Sequence, residues 1–392
     1  MLWLALHFPQ LSLDLIERST QQVDHIAAAH SSTTLAKPQQ PVLAICDRLY
    51  VITANQPALA GGIQPGMKRA SAQALLPQVQ LIDHDPVREQ QALTALACWA
   101  LQFTPSTGFA PPPISTRQST TTRTNALAPL PLPGQAGLLM EIEPSLKYFG
   151  GLPALLATMH NGLQHLGYQT HAGLAPTPGA AWLFAQHNQH HLDRVDHNNV
   201  QSLTHLPQRL GMLPIDLLVS AQGKRTGLGA IGANTLGDLL ELPRAGLARR
   251  FGKDLLIEVD CALGAQSQPI AFFQAPQQFR SKLELLADVE QADALLFAAR
   301  RLLVELTGWL SARQCAVRSF DLIAQHEEAP VTALSVRLND PSRDTNRLTD
   351  LLRERLNVLQ LRAPVHTIEL RCERVQAMAA SSDELFASAA SN

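Results

Sequence analysis

Two pairs of carboxylates in this chain have spacings that could hold a divalent cation. Glu141 and Glu143, two residues apart, share one face of a strand, and Asp14 and Glu17, three apart, share one face of a helix. Carboxylate clusters are also common on surfaces, and the plainer reading of each pair is a solvated edge. His187, His190, His191 and His197 gather around Asp193 and Asp196, and the four-residue step from His187 to His191 would allow zinc or nickel on a helix. The Asn/Gln/His-rich surroundings read instead as a polar surface tract, so no metal site and no cofactor are expected.

A different chemistry is written between Leu228 and Pro243. Apolar residues lead into a glycine turn from Gly229 to Gly232. Thr235 then stands where it can cap the next helix, with Leu236, Leu239 and Leu240 facing inward. This reads as a helix-hairpin-helix, whose backbone N–H groups could receive a phosphate at a helix start. A plain helical hairpin closed by a glycine fits the same residues. Arg280 and Lys282 alternate along one strand and Arg318 precedes another, as on any charged sheet face. Near the C-terminus, Leu385 and Phe386 follow an acidic pair in a polar tail, and such an apolar pair can anchor in a partner's pocket.

Composition limits these readings. At 392 residues the chain should form two to four domains, and 46% hydrophobic residues argue against disorder. Net charge is -2, with 11 Lys and Arg against 12 Asp and Glu up to Gly223, and 20 against 19 from Lys224 to Arg374. Nucleic-acid contact must therefore rest on local patches. The five cysteines form no CxxC pair, which fits a reducing cytoplasm. The apolar N-terminus lacks a basic flank and is too short to span a bilayer, so it is expected as a buried first strand of a cytoplasmic protein.

The elements that must position these residues follow from periodicity. Strands are expected at Leu2–Phe8, Val42–Cys46, Leu49–Thr53, Gly137–Ile142 and Thr170–Ala175. Helices are expected at Leu11–Ile16, Ala70–Leu76, Gln90–Phe103, Pro153–Leu166 and from Thr177 through Ala185. Alternation of this kind predicts one α/β sheet over the first 195 residues, interrupted by a Ser/Thr/Pro-rich insertion at about 110–135. Short helices fill Val200–Leu263. From Arg280 to Arg374 the order strand-helix-strand-strand-helix-strand gives a split βαβ domain.

This order of parts resembles the Y-family translesion DNA polymerases, and its wording resembles the non-catalytic ImuB branch of bacterial mutagenesis cassettes. Four stretches carry the resemblance: Leu2–Glu17 with Phe8-Pro9-Gln10-Leu11; Ala58–Pro77 with Gly62-Ile63 and Gly66-Met67; Glu141–Gly151; and Gly227–Gly252. It implies a multi-domain α/β right hand. Residues 1–24 and 83–197 would be the palm, 25–82 the fingers, 198–268 the helical thumb, 276–375 the little finger and 376–392 a flexible tail.

Where the polymerases carry metal-binding carboxylates this chain has Ala5, His7, Ala136 and Gly137. The triphosphate-holding Tyr and Arg match Gln56 and Leu59, and a family Lys matches Pro178. Two-metal phosphoryl transfer needs those carboxylates, so the resemblance implies an inactive homologue. It further implies weak binding of damaged or primer-template DNA, with Gly229, Gly232, Thr235, Arg280, Lys282 and Arg318 as contacts. The implied partners are a sliding clamp reached through Leu385 and Phe386, a RecA-like ImuA-type protein and an error-prone replicative-type polymerase subunit. The alternative is a divergent active polymerase with relocated ligands, which requires three carboxylates to converge in the palm.

Overall fold

The apolar N-terminal run becomes β1 (Trp3–His7), buried along its whole length. The computed structural model describes residues 1–17, 41–112, 128–131, 133–187, 203–289, 291–327, 329–359, 361 and 363–377. It divides into two units, Met1–Ala275 and Pro276–Asn392.

In the first unit β1 leads into α1 over residues 11–17. Then come β2 (Leu43–Cys46), β3 (Val51–Ala54), α2 (Gln56–Ala60), α3 (Arg69–Leu75) and β4 (Gln80–Asp83). These three strands form a small sheet, β3-β2-β4, closed by small side chains such as Ala44, Ala54, Ala58 and Ala72. The chain continues through α4 (Pro86–Ala100), β5 (Thr107–Ala110), β6 (Gly137–Glu141), α5 (Leu152–Leu166), β7 (His171–Ala175) and α6 (Pro178–His187). A second sheet has the order β5-β6-β1-β7 and is antiparallel throughout.

α5 forms because Leu155, Leu156, Met159, Leu163 and Leu166 recur at helical spacing, and it stops at Gly167 with φ 73°. α6 lies hard against β7 because Gly173 has no side chain; a Cβ there would overlap the backbone of Ala181 and Ala185. Five short helices follow: α7 (Leu206–Gly211), α8 (Arg225–Gly229), α9 (Leu236–Glu241), α10 (Arg244–Phe251) and α11 (Lys253–Leu263). Their leucines share one core with Trp3, Ala5 and Leu139 of the sheet and with Trp182 and Phe184 of α6.

The second unit runs β8 (Phe279–Val289), α12 (Ala292–Ala312), β9 (Cys315–His326), β10 (Thr332–Ser342), α13 (Thr345–Asn357), β11 (Val365–Cys372) and β12 (Val375–Ala377). The sheet order is β10-β9-β11-β8, with β12 beside β9. Alternation along β9 buries Phe320, Leu322 and Ala324 on one face and leaves Ser319, Asp321 and Ile323 half-buried on the other.

Several expectations need correction. Among the described residues up to 195 there are two sheets, not one, because β4 pairs in parallel with β2 and closes the hairpin into its own layer. β4, β5 and α2 are too short to show periodicity. The helix expected from Gln90 begins at Pro86, since Asp85 caps it by accepting from the N–H groups of Val87 and Arg88. Gln376 and Ala377, assigned to the tail, pair with β9. All five cysteines are buried and none is in a disulfide. Among the described residues no helix is long and apolar enough to cross a membrane. The greater part of the Ser/Thr/Pro-rich insertion, the histidines after His187 with Asp193 and Asp196, and Leu385 with Phe386 lie outside the described residues.

Candidate functional site

β1 and β6 bring the four sequence-matched positions to neighbouring strand ends. His7 faces Gly137 directly in the ladder, Ala5 faces Leu139, and the Phe8 N–H donates to the Ala136 carbonyl at 2.9 Å. Side chains at those ends would converge. What converges is apolar and aromatic. The Trp182 indole stands edge-on to the His7 ring at 5.1 Å between centroids and is 2% exposed. A Cβ on Gly137 would overlap that indole and come within 2.7 Å of the Leu6 carbonyl oxygen.

His7 is buried, and its Nε2 lies 2.8 Å from the Gly134 carbonyl oxygen. Burial lowers its pKa below the ordinary histidine value, against the pull of the Gly134 and Ala185 carbonyls. Neither Trp3–Gln10 nor Pro133–Met140 contains an Asp or Glu, so a shift of two residues in the matching would not restore a carboxylate. These residues do not fit a pair of divalent ions.

The other acids are engaged elsewhere. Asp14 is buried and accepts the Gln169 N–H at 3.0 Å, which corrects its reading as a solvated edge. Glu17 accepts from Asn55. Glu141 pairs in register with Trp3, four residues and about 13 Å along the strand from the His7 end. Glu143 lies beyond β6 in a short 3-10 turn, ion-paired with the N-terminal amine at 2.5 Å, so the two acids do not share a strand face.

Beside the strand end a recess of about 110 Å³ is lined by Phe8, Pro9, Gln10, Ser12, Thr53 and Gly134, among others, with Glu89 as its acid. Glu89 is buried, bonded to the Ser12 hydroxyl and 3.1 Å from His84 Nε2. Among the described residues no group of three or more His, Cys, Asp or Glu could hold a metal ion. Gln56 opens α2 and Pro178 opens α6, where Pro178 is buried.

The glycine hairpin forms as α8, a turn and α9. Gly232 adopts φ 81° in that turn, and Thr235 caps α9 in a reciprocal box with Asp238. Most of the N–H groups expected to be free there are already bonded. Gly232 and Ala233 donate to Gly229 and Leu228 carbonyls and Leu236 donates to Leu213. Asn234 and Thr235 donate to the Asp238 carboxylate at 2.9 and 2.8 Å. Those two bonds hold the Asp238 pKa below its ordinary value. Leu236 and Leu239 are buried, but Leu240 is 37% exposed because the hexapeptide α9 has room for only two inward leucines.

In the second unit Arg280 and Lys282 lie on the open sheet face as alternation requires. Both are exposed, and they stand opposite Arg371 and Glu369 of β11. Glu369, 1% exposed, is gripped by both arginines. Arg371 Nε and Nη2 reach its two oxygens at 2.8 and 2.9 Å, and Arg280 adds bonds from the other side. Burial works against the Glu369 charge, but the bonds from Arg371 and Arg280 outweigh it and lower the pKa. Lys282 is 4.0 Å from Glu284. Arg318 is exposed and bonds to Gln376 at 2.9 Å.

Sequence reasoning did not single out Arg371, which the β8–β11 register brings beside Arg280. It also passed over Arg249, Arg250 and Lys253, exposed together around Gly252 between α10 and α11. The signal available was their crowding within five residues.

No protein-family profile matches the chain. Among solved structures it is similar to a Dbh ternary complex (TM-score 0.48, 16% identity, covering 95% of this chain and 98% of that one). It is also similar to DinB from Sulfolobus solfataricus (TM-score 0.47, 16% identity, the same coverage). Protein ImuB of Caulobacter vibrioides, in two strains, is 26% identical over 331 residues. That alignment takes in 84% of this chain, which spans 66% of the relative's length. The resemblance read from the sequence is therefore matched by a curated relative: over most of its length this mixed α/β chain is similar to protein ImuB.

Proposed function

We propose that this chain is a non-catalytic, Y-family-polymerase-like scaffold of the bacterial DNA-damage response and translesion synthesis. The observation that carries the reading is Trp182 packed over Gly137 and against His7, where polymerase chemistry would need carboxylates. In this reading residues 1–24 and 83–197 serve as palm, 25–82 as fingers, 198–268 as thumb and 276–375 as little finger.

DNA contact is weak because the candidate groups are largely engaged: Asp238 occupies the hairpin donors and Glu369 occupies Arg280. Arg249, Arg250, Lys253 and Arg371 join Arg280, Lys282 and Arg318 as phosphate contacts, with Gly229, Gly232 and Thr235 shaping the hairpin. A sliding clamp taken up through Leu385 and Phe386, an ImuA-type protein and an error-prone polymerase subunit complete the assembly in the cytoplasm.

Primer extension with Mg²⁺ or Mn²⁺ tests the central claim. The expected result is no extension above a blank; extension that disappears in Glu141→Ala would overturn it. A clamp pull-down with and without Leu385→Ala/Phe386→Ala tests the partner assignment.

A further inference from the structure

The turn between β2 and β3 carries an unusual pair for a hairpin tip: Leu49 is 66% exposed and Tyr50 42% exposed. The tip is also tied by hydrogen bonds. Asp47 Oδ1 accepts the N–H groups of Leu49 and Tyr50 at 2.8 and 2.6 Å, and Asp47 N–H donates to the Tyr50 carbonyl at 2.9 Å. On the other side Arg69 N–H donates to the Leu49 carbonyl at 2.8 Å, and Val51 N–H donates to Met67. Two apolar side chains are thus held in water by a network that leaves their backbone little freedom. Ordering of that kind lowers the entropy lost on binding.

Between this tip and the start of α3 lies a groove of about 550 Å³, lined by Arg48, Leu49, Tyr50, Lys68, Arg69, Ala70, Gln73 and Leu81. That volume suits two or three side chains of a ligand. Three of the eight lining residues are cations and none is acidic. The nearest carboxylates do not cancel them equally: Asp83 is paired with Arg69, and Asp47 is turned into its own hairpin. Arg48 and Lys68, both exposed, set the sign of the mouth.

We propose that this groove docks a partner protein through a short acidic peptide with an aliphatic or aromatic anchor. The anchor seats among Leu49, Tyr50 and Leu81, and the flanking carboxylates meet Arg48 and Lys68. A nucleic-acid strand fits less well, because the cations cluster at one recess instead of following a backbone track, and a single aromatic ring offers no stacking row. This inference is independent of the scaffold reading and concerns none of its DNA-contact residues.

The test uses the full chain and a fluorescein-labelled octapeptide with Glu on both sides of a Leu-Phe pair, followed by anisotropy. Two control peptides carry Lys for Glu and Ala for Leu-Phe. Binding of the first peptide alone is expected, weakened at least tenfold by Leu49→Asp and at least fivefold by Lys68→Glu. A protein with both Arg48→Glu and Lys68→Glu should come to prefer the Lys peptide. These side chains are exposed, so thermal midpoints should match the parent chain. Equal binding of all three peptides, or affinity untouched by Leu49→Asp and Lys68→Glu, would overturn the proposal. So would displacement of the peptide by an oligo-dT strand that itself loses binding in Lys68→Glu, which would assign the groove to nucleic acid.

Discussion

The Trp182 indole covers the Cα of Gly137 and meets the His7 ring edge-on at 5.1 Å, so the strand end is sealed by an aromatic pair. Gly137 has no room to become a carboxylate on its own. Gly137→Asp is expected to destabilise the first unit by about 3 kcal/mol, combining overpacking with a buried unpaired charge. Urea unfolding measures it, and adding Trp182→Ala should recover part of the loss. Full stability in Gly137→Asp would show that the indole does not occupy this space in solution.

His7 makes the same site sensitive to acid. Its folded pKa lies below the ordinary value because of burial, so its contribution is fully present above about pH 6.5, the unfolded value, and is lost as pH falls toward the folded one. Thermal midpoints measured between pH 7.5 and 5 should therefore fall more steeply for the parent chain than for His7→Leu. Parallel curves would remove His7 from this account.

The hairpin cap should behave as a local stabiliser. Thr235→Ala removes the side-chain acceptor for the Asp238 N–H and is expected to cost about 1 kcal/mol. The Asp238 carboxylate has a lowered folded pKa, so its support holds above the unfolded value near pH 4 and fades as pH falls through the folded one. Asp238→Asn should flatten that acid limb in a denaturation series. An unchanged limb would mean that the bonds to Asn234 and Thr235 do not persist.

On the second unit's sheet, Arg371→Ala leaves Glu369 with Arg280 alone. The expected loss is about 1.5–3 kcal/mol at neutral pH, the usual range for hydrogen bonds to a charged group. Glu369 has a lowered pKa, so the difference between parent and variant should shrink as pH drops through its folded value. Calorimetry along a falling pH series checks this, and a difference that stays constant through full protonation of Glu369 would contradict the pairing.

If this face meets DNA phosphates, Lys282→Ala and Arg318→Ala should each weaken primer-template binding across all sequences and lower the salt slope by about one. Glu369→Gln should strengthen binding, since it frees guanidinium donors on Arg280 and Arg371. Anisotropy at low and moderate salt measures all three. Opposite signs for Lys282→Ala and Glu369→Gln are the signature sought; a null result in both would remove this face from the proposed DNA contacts.

Much of this was legible in the residues themselves. The run Leu2–Phe8, cut off by Pro9, reads as a buried strand, the leucine spacing of Leu155 to Leu166 reads as one face of a helix, and the strand-helix-strand-strand-helix-strand order after Arg280 is local pattern. The absence of Asp and Glu from Trp3–Gln10 and Pro133–Met140 is likewise a property of the chain as written. Tertiary structure decided what fills that space, because Trp182 is 45 residues beyond Gly137 and arrives only when α6 packs on the sheet. It also decided which charges remain available. Arg371 meets Glu369 and Arg280 through strand register, and Asp238 reaches back to its own hairpin through a capping box, so both cancel donors that sequence alone presents as open. Periodicity fixes which face a residue occupies; only packing across distant segments fixes which partner it finds there.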